Sequence, residues 1–187
     1  MLMPKEHTSS MTQATASLVV FRLDRVHYAI AIEPILQIIE MVTITPVLKT
    51  EDWVEGIINY HGDPIPVVNL RRHFRMEAVP HRWHTPIILL NLADRQVGLI
   101  VDDVLDVLAL SPDQILDPRS ILPASIPETP LLKGLIQTQE NMILLIDLAY
   151  LFDQQQLDAL SAAVEALNEQ ALQAPEQKTE PDEEEKP

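Results

Sequence analysis

The sequence predicts a mainly β protein: two small, intertwined five-stranded barrels packed together, with short inserted helices and a C-terminal α-helix. Three observations carry this expectation. The first is an internal duplication. Residues 17–40 lie without gaps over 86–109 at an offset of 69, and residues 53–74 over 131–152 at an offset of 78. Apolar matches apolar almost throughout, with Gly56 on Gly134, Leu70 on Leu148 and Phe74 on Phe152. The second is a run of short apolar segments bounded by turn residues, the signature of strands. The third is size: each repeat unit, 17–74 and 86–152, is near the length at which a lone core is only marginally stable, so the two should pack and unfold together.

The elements follow in order. Residues 1–16 are polar and expected to be flexible. Segments 17–23 and 26–32 flank Asp24-Arg25 as a hairpin, and 87–92 and 96–101 flank Ala93-Asp94-Arg95 in the same way. Pro34 cannot donate a backbone hydrogen bond, so it should end the second strand and open a short helix. Gly56 to Tyr60 and Ile65 to Val68 form a pair around His61-Gly62-Asp63-Pro64, where glycine permits a positive φ. The counterpart of that turn is Thr138 to Asn141. The extra length of the second copy falls in the proline-rich run 111–130. Asn69 and Asp147, at equivalent positions, each precede a one-turn segment and suit helix caps. The Asp102-Asp103 pair is also expected to precede a short helical turn. Leu157, Leu160, Val164, Leu167 and Ala171 form a helical stripe over 153–174 that packs on the body, with Asp153 at its start. The tail 175–187 is acidic, lacks large apolar residues and is expected to be disordered.

Composition narrows the function classes. At 47 % apolar and 22 % charged residues the chain has an ordinary core supply. The absence of cysteine excludes disulfides, thiol catalysis and thiolate metal sites. A net charge of −15 argues against nucleic acid as a partner and against docking on anionic lipid. No apolar run approaches the ~20 residues that cross a bilayer, and residues 1–16 lack the apolar core of a secretory signal. A cytoplasmic protein with no direct membrane insertion is the simplest reading. Arg71, Arg72, Arg75 and Arg82 cluster with His73, His81 and His84 around the link between repeats. They read as a solvated connector balancing an acidic neighbour, with a docking patch for an acidic protein surface as the alternative.

Chemistry finds no foothold. The four glycines, at 56, 62, 98 and 134, sit in no phosphate-cradling loop, and the serines in no nucleophile motif. His61, His73, His81 and His84 do not add up to a metal site, because Pro80 and Trp83 mark a loop with no ligand framework beside it. No catalytic residue, no metal and no cofactor are expected, so the chain is not read as an enzyme.

Four blocks, VFRLDRVHYAIAIEPILQII, GIINYHGDPIPVVNLRRHF, VGLIVDDVLDVL and GLIQTQENMILLIDLAYLF, resemble the CheW adaptor family of bacterial chemotaxis. The resemblance spans 17–152, and Gly56 to Arg71 is its most specific part. It implies SH3-like barrels and a non-catalytic scaffold that couples chemoreceptor cytoplasmic tips to the regulatory domain of a CheA-type histidine kinase. It also implies cytoplasmic localisation with recruitment to membrane-associated receptor arrays. The alternative is a specialised scaffold, in a motility or developmental pathway, that competes with or inhibits kinase coupling. Kinase contact is expected at Gln37, Ile39 and Met41 and at the turn of Gly56, Asn59 and His61. Receptor contact is expected in an apolar groove between barrels, with Ile32, Ile35, Val101 and Val104. Two positions depart from the family pattern. Gln37 stands where the family commonly has Glu, removing a fixed charge, and His61 stands where it commonly has Arg, making a charge conditional.

Overall fold

The first copy of the repeat supplies β1 (Ala16–Leu23), β2 (Val26–Ala31), β3 (Ile35–Glu40), β4 (Val54–Tyr60) and β5 (Asp63–Asn69), then the one-turn helix α1 (Leu70–His73). The second supplies β6 (Pro86–Leu92), β7 (Arg95–Ile100), β8 (Asp103–Leu110), β9 (Leu132–Gln137) and β10 (Met142–Ile146). A 3-10 turn at Leu148–Tyr150 and the helix α2 (Gln154–Gln173) follow. These elements come from a computed structural model that describes residues 15–47, 50–121, 123, 129–139 and 141–173, with helix side chains up to residue 165. The expected flexible start, apart from residues 15 and 16, and the expected acidic tail 175–187 lie outside the described residues, as do the side chains of Leu167 and Ala171.

The two copies exchange their first hairpins. The first barrel has the strand order β8-β1-β2-β10-β9 and the second β3-β6-β7-β5-β4. Hairpin β1–β2 is thus built into the strands of the later copy, and hairpin β6–β7 into those of the earlier one. Each exchange is sealed by a parallel pairing, β2 with β10 and β7 with β5, while all other ladders are antiparallel. Tight turns at Asp24 (φ 55°) and at Ala93 and Asp94 (φ 49° and 63°) close the exchanged hairpins.

Alternation along the strands divides the core into three clusters. Leu18, Val20 and Ala29 point into the first barrel with Ile136, Ile143 and Leu145. Their repeat counterparts Ile87 and Leu89, with Ile58, Ile65 and Val67, fill the second barrel. The intervening residues Val19, Phe21 and Leu23 on β1 and Ile88, Leu90 and Leu92 on β6 face a third cluster shared between the barrels. β1 and β6 are therefore covered on both faces, which is why they read as near-continuous apolar runs.

Each barrel closes through one bridge. Thr45 and Ile57 exchange two backbone hydrogen bonds of 2.8 Å, and Leu116 exchanges bonds of 2.8 and 2.9 Å with Leu135. A glycine stands next to each bridge. Gly56 has φ 149°, and a Cβ on it would collide with the Thr45 carbonyl oxygen and the Ile44 side chain. A Cβ on Gly134 would collide with the Ile115 side chain. The closing segment can approach only where no side chain intervenes.

Two expected helical turns are strands instead. Ile35 closes a turn on the Ile32 carbonyl at 2.9 Å, and the β-branched residues after Pro34 continue as β3, paired with buried β6. After Asp102 the chain continues as β8, paired with β1. The Asp102 carboxylate caps no helix. It accepts Nε and a terminal nitrogen of Arg71, both at 2.6 Å, and the Asp24 backbone N–H, tying α1 to the exchanged hairpin. Burial would raise the Asp102 pKa, but these donors hold it below the ordinary value.

Asn69 and Asp147 do cap their turns, accepting from the backbone N–H of Arg72 (3.3 Å) and Ala149 (3.1 Å). Asp153 and Gln156 exchange hydrogen bonds at the start of α2, a reciprocal cap. α2 lies on β5 and β4, burying Leu160 and Ala163.

An aromatic group fills the seam where α1 meets the end of the second copy. His73 lies against Trp53, Phe74 and Phe152, with ring centroids 5.3, 5.8 and 4.9 Å away. Its Nε2 donates to the carbonyl of Leu151, its own repeat counterpart, at 2.8 Å, while buried Nδ1 has no partner. A carbonyl only accepts, so Nε2 carries a proton. Burial pushes the His73 pKa down, against the opposing pull of the Leu151 carbonyl and Asp153.

Two outcomes are expected. Gly56→Ala should lower the unfolding free energy by about 3 kcal/mol in urea denaturation, because it strains the backbone and forces the Thr45 segment away. Gly134→Ala should cost less, since Gly134 lacks the positive φ of Gly56 and its added Cβ would meet the Ile115 side chain rather than a backbone oxygen. The folded-state pKa of His73 lies below the unfolded value of 6.5, so as pH falls the unfolded chain takes up this proton first. Its contribution is complete above the unfolded value and is lost progressively as pH falls from there through the lowered folded value. Denaturation series between pH 7.5 and 5.5 should show a slope that His73→Leu flattens.

Candidate docking surfaces

β3 and β4 are the two outermost strands of the second sheet, four places apart in its order. Closure at Thr45–Ile57 brings them side by side, and the Tyr60 hydroxyl donates to the Gln37 side-chain oxygen. At the adjoining turn His61 (φ 54°) and Gly62 (φ 101°) both take left-handed conformations, which matches the twist of a two-residue hairpin loop. Asn59 Oδ1 secures the turn by accepting the Gly62 N–H at 2.9 Å. The His61 ring then stands edge-on to Tyr60, centroids 4.3 Å apart. Gln37, Asn59 and His61 are exposed and share one end of the second barrel.

The other residues named for this surface have a different place. Ile39 and Met41 are half-buried against the second barrel's inner cluster. Gly56 is buried at the closing bridge. Tyr60, which connects Gln37 to His61, was not among the residues singled out from sequence. Its link spans 23 positions and exists only once the barrel is closed.

Ile32, Ile35, Val101 and Val104 form two repeat-equivalent pairs beside the core shared by the barrels. Ile32 is 36 % exposed and Ile35 and Val104 are half-buried, but Val101 is only 1 % exposed and presents no side-chain surface. Sequence reasoning passed over four exposed apolar residues nearby: Leu36 and Ile38 on β3, and their counterparts Leu105 and Val107 on β8. Leu36 and Leu105 sit where the ladders shift register, outside the pairing with β6 and β1. The recurrence of apolar residues at 36/105 and 38/107 was the available signal. It reads as ordinary core until the strands are known to be edges.

The basic cluster around the connector is largely paired within the fold. Glu55 accepts from Asn69 at 3.0 Å and lies 3.4 Å from His81 and 3.8 Å from Arg72. Burial alone would raise its pKa; Asn69, His81 and Arg72 hold it below the ordinary value. Arg71 is engaged by Asp102 and His73 by Leu151. Arg75, Arg82, His84 and Trp83 remain exposed, Trp83 at 74 %. Among the described residues no helix is long and apolar enough to cross a membrane.

Comparison with known proteins agrees with this architecture. The family model of the CheW-like domain matches residues 17–156. The chain is 31 % identical over 138 residues to the chemotaxis protein CheW of Klebsiella aerogenes, covering 74 % of this chain and 82 % of that one. To the chemotaxis protein CheW of Thermotoga maritima it is 34 % identical over 128 residues, covering 68 % and 82 %. The crystal structure of the scaffolding protein TtCheW from Thermoanaerobacter tengcongensis superposes with a TM-score of 0.65 at 29 % identity, covering 75 % of this chain and 94 % of that one. The chain belongs to the CheW-like domain family, whose members are chemotaxis scaffolds without catalytic activity.

Proposed function

We propose that this protein couples chemoreceptors to a CheA-type histidine kinase and thereby controls the kinase's phosphorylation. The observation that supports it best is the division of its exposed surface into two unlike faces on one rigid body. The polar end of the second barrel offers Gln37, Tyr60, Asn59 and His61, held in place by the barrel closure. The seam between barrels offers Ile35 and Val104, packed on the shared core, with the exposed Ile32 three residues before Ile35. An adaptor needs two such faces that are occupied at once. The polar end suits the kinase regulatory domain and the apolar seam a receptor tip. Recruitment to a membrane-associated array then comes through the receptor.

Gln37→Ala and His61→Asn should each weaken binding to the kinase regulatory domain about 5- to 30-fold, the range expected of a contact worth 1–2 kcal/mol. Thermal unfolding should not move, because both side chains are exposed and asparagine tolerates the left-handed turn. Ile32→Asp should weaken receptor binding and leave kinase binding intact. The decisive assay is kinase autophosphorylation with receptor, with and without this protein. A receptor-dependent change that disappears in Ile32→Asp is expected, and phosphorylation indifferent to the protein would refute the coupling role.

A further inference from the structure

α2 covers one barrel, and the duplication shows what the other lacks. Leu157, Leu160 and Val164 of α2 lie over Pro64, Pro66 and Val97, on the outer face of the parallel pair β5–β7, with Arg95 bonded to Asp158 at 3.1 Å. Under the repeat offsets, the same positions on the first barrel are Met142, Leu144, Tyr28 and, in place of Arg95, Val26. The registers agree: Leu145 lies opposite Ala29 in one parallel pair and Val67 opposite Gly98 in the other. Leu144 and Tyr28 are likewise opposite each other, and strand alternation puts Val26 and Met142 on their face.

The burial differs as a missing helix requires. Pro66 and Val97 are buried, whereas Leu144 and Tyr28 are half-buried and Met142 and Val26 are 44 % and 37 % exposed. Among the described residues the chain lays no α-helix here, although Phe74 packs on Tyr28 with ring centroids 5.7 Å apart. After Phe152 it enters α2, but after the equivalent Phe74 it folds back: Met76 N–H bonds the Arg71 carbonyl, Arg71 bonds the Glu77 carbonyl, and His81 reaches Glu55. A second copy's α2 is a poor candidate too. Its Leu160 and Ala163 are already buried on its own barrel, and its Asp158 would face Val26, which stands in place of Arg95.

We propose that the β2–β10 face of the first barrel, Val26, Tyr28, Met142 and Leu144, docks an amphipathic helix from another protein. That helix carries a Leu/Ala/Val stripe like α2's, with a further apolar residue where α2 has Asp158. This goes beyond the coupling role above and does not depend on it.

The test uses the full chain and two labelled synthetic peptides of residues 153–173, one native and one with Asp158→Leu, with binding read by anisotropy and amide NMR shifts. The Asp158→Leu peptide should bind at least fivefold tighter than the native one and shift amides on β2 and β10. Met142→Glu, at an exposed position, should weaken it at least tenfold, and Val26→Arg should reverse the preference between peptides. Shifts confined to β5 and β7, no preference between peptides, or no binding by either at millimolar concentration would overturn the proposal. So would reversible self-association of the full chain that Met142→Glu abolishes, which would assign the face to a second copy. If Met142→Glu unfolds, the reversal by Val26→Arg decides alone.

Discussion

Two close approaches of backbone to backbone govern the rest of this protein. A five-stranded sheet this small has two open edges, and each barrel removes them by bringing a segment beyond one edge strand onto the other. Thr45 reaches Ile57 and Leu116 reaches Leu135, each through a pair of hydrogen bonds. Both approaches pass over a glycine, so the absence of two β-carbons, at 56 and 134, sets the geometry of both barrels. Closed barrels leave less unpaired edge for unwanted strand addition, which suits a protein that must present chosen surfaces and hide others. The polar end of the second barrel depends on the same contact, because Gln37 and Tyr60 belong to strands at opposite edges of one sheet.

Hairpin exchange changes what the duplication means energetically. Neither copy can complete a barrel alone, since each contributes a hairpin to the other's sheet. The shared cluster then draws on both sheets at once, with Phe21 and Ile30 from one and Ile88 and Leu99 from the other. Most pairings across the exchange are distant in sequence, which places this chain among slow-forming, strongly cooperative topologies. The two copies consequently form a single body rather than two beads on a string.

The two barrels are alike inside and unlike outside. Inward positions keep the same character in both copies, as Leu18 and Ile87 or Ile65 and Ile143 do, because both interiors have the same size to fill. At the surface that constraint lapses. Gln37 becomes Asp106, His61 becomes Gln139, and Arg95 becomes Val26. Charge pairing follows the same asymmetry: Arg71 clamps Asp102 and the Asp24 turn, whereas its counterpart Ala149 can clamp nothing. A duplicated scaffold thereby carries two unlike outer surfaces on two like interiors.

Short-range features were readable in the residues themselves. The hairpin turns, the caps at Asn69, Asp147 and Asp153, and the helical stripe of α2 each depend on neighbours a few positions apart, and the repeat is visible by comparing the sequence with itself. Pro34 and Asp102 misled for the same reason: their local chemistry suits a helix start, and only pairing with β6 and β1 makes the following residues strands. Of the expected docking residues, Gln37, Asn59 and His61 do lie together on the surface, while Gly56 and Val101 are buried. Periodicity says that a residue alternates between two faces, but not which strand will lie against either one. That choice belongs to the exchange of hairpins and the closure over glycine, contacts whose free energy exists only when segments far apart in the chain have met.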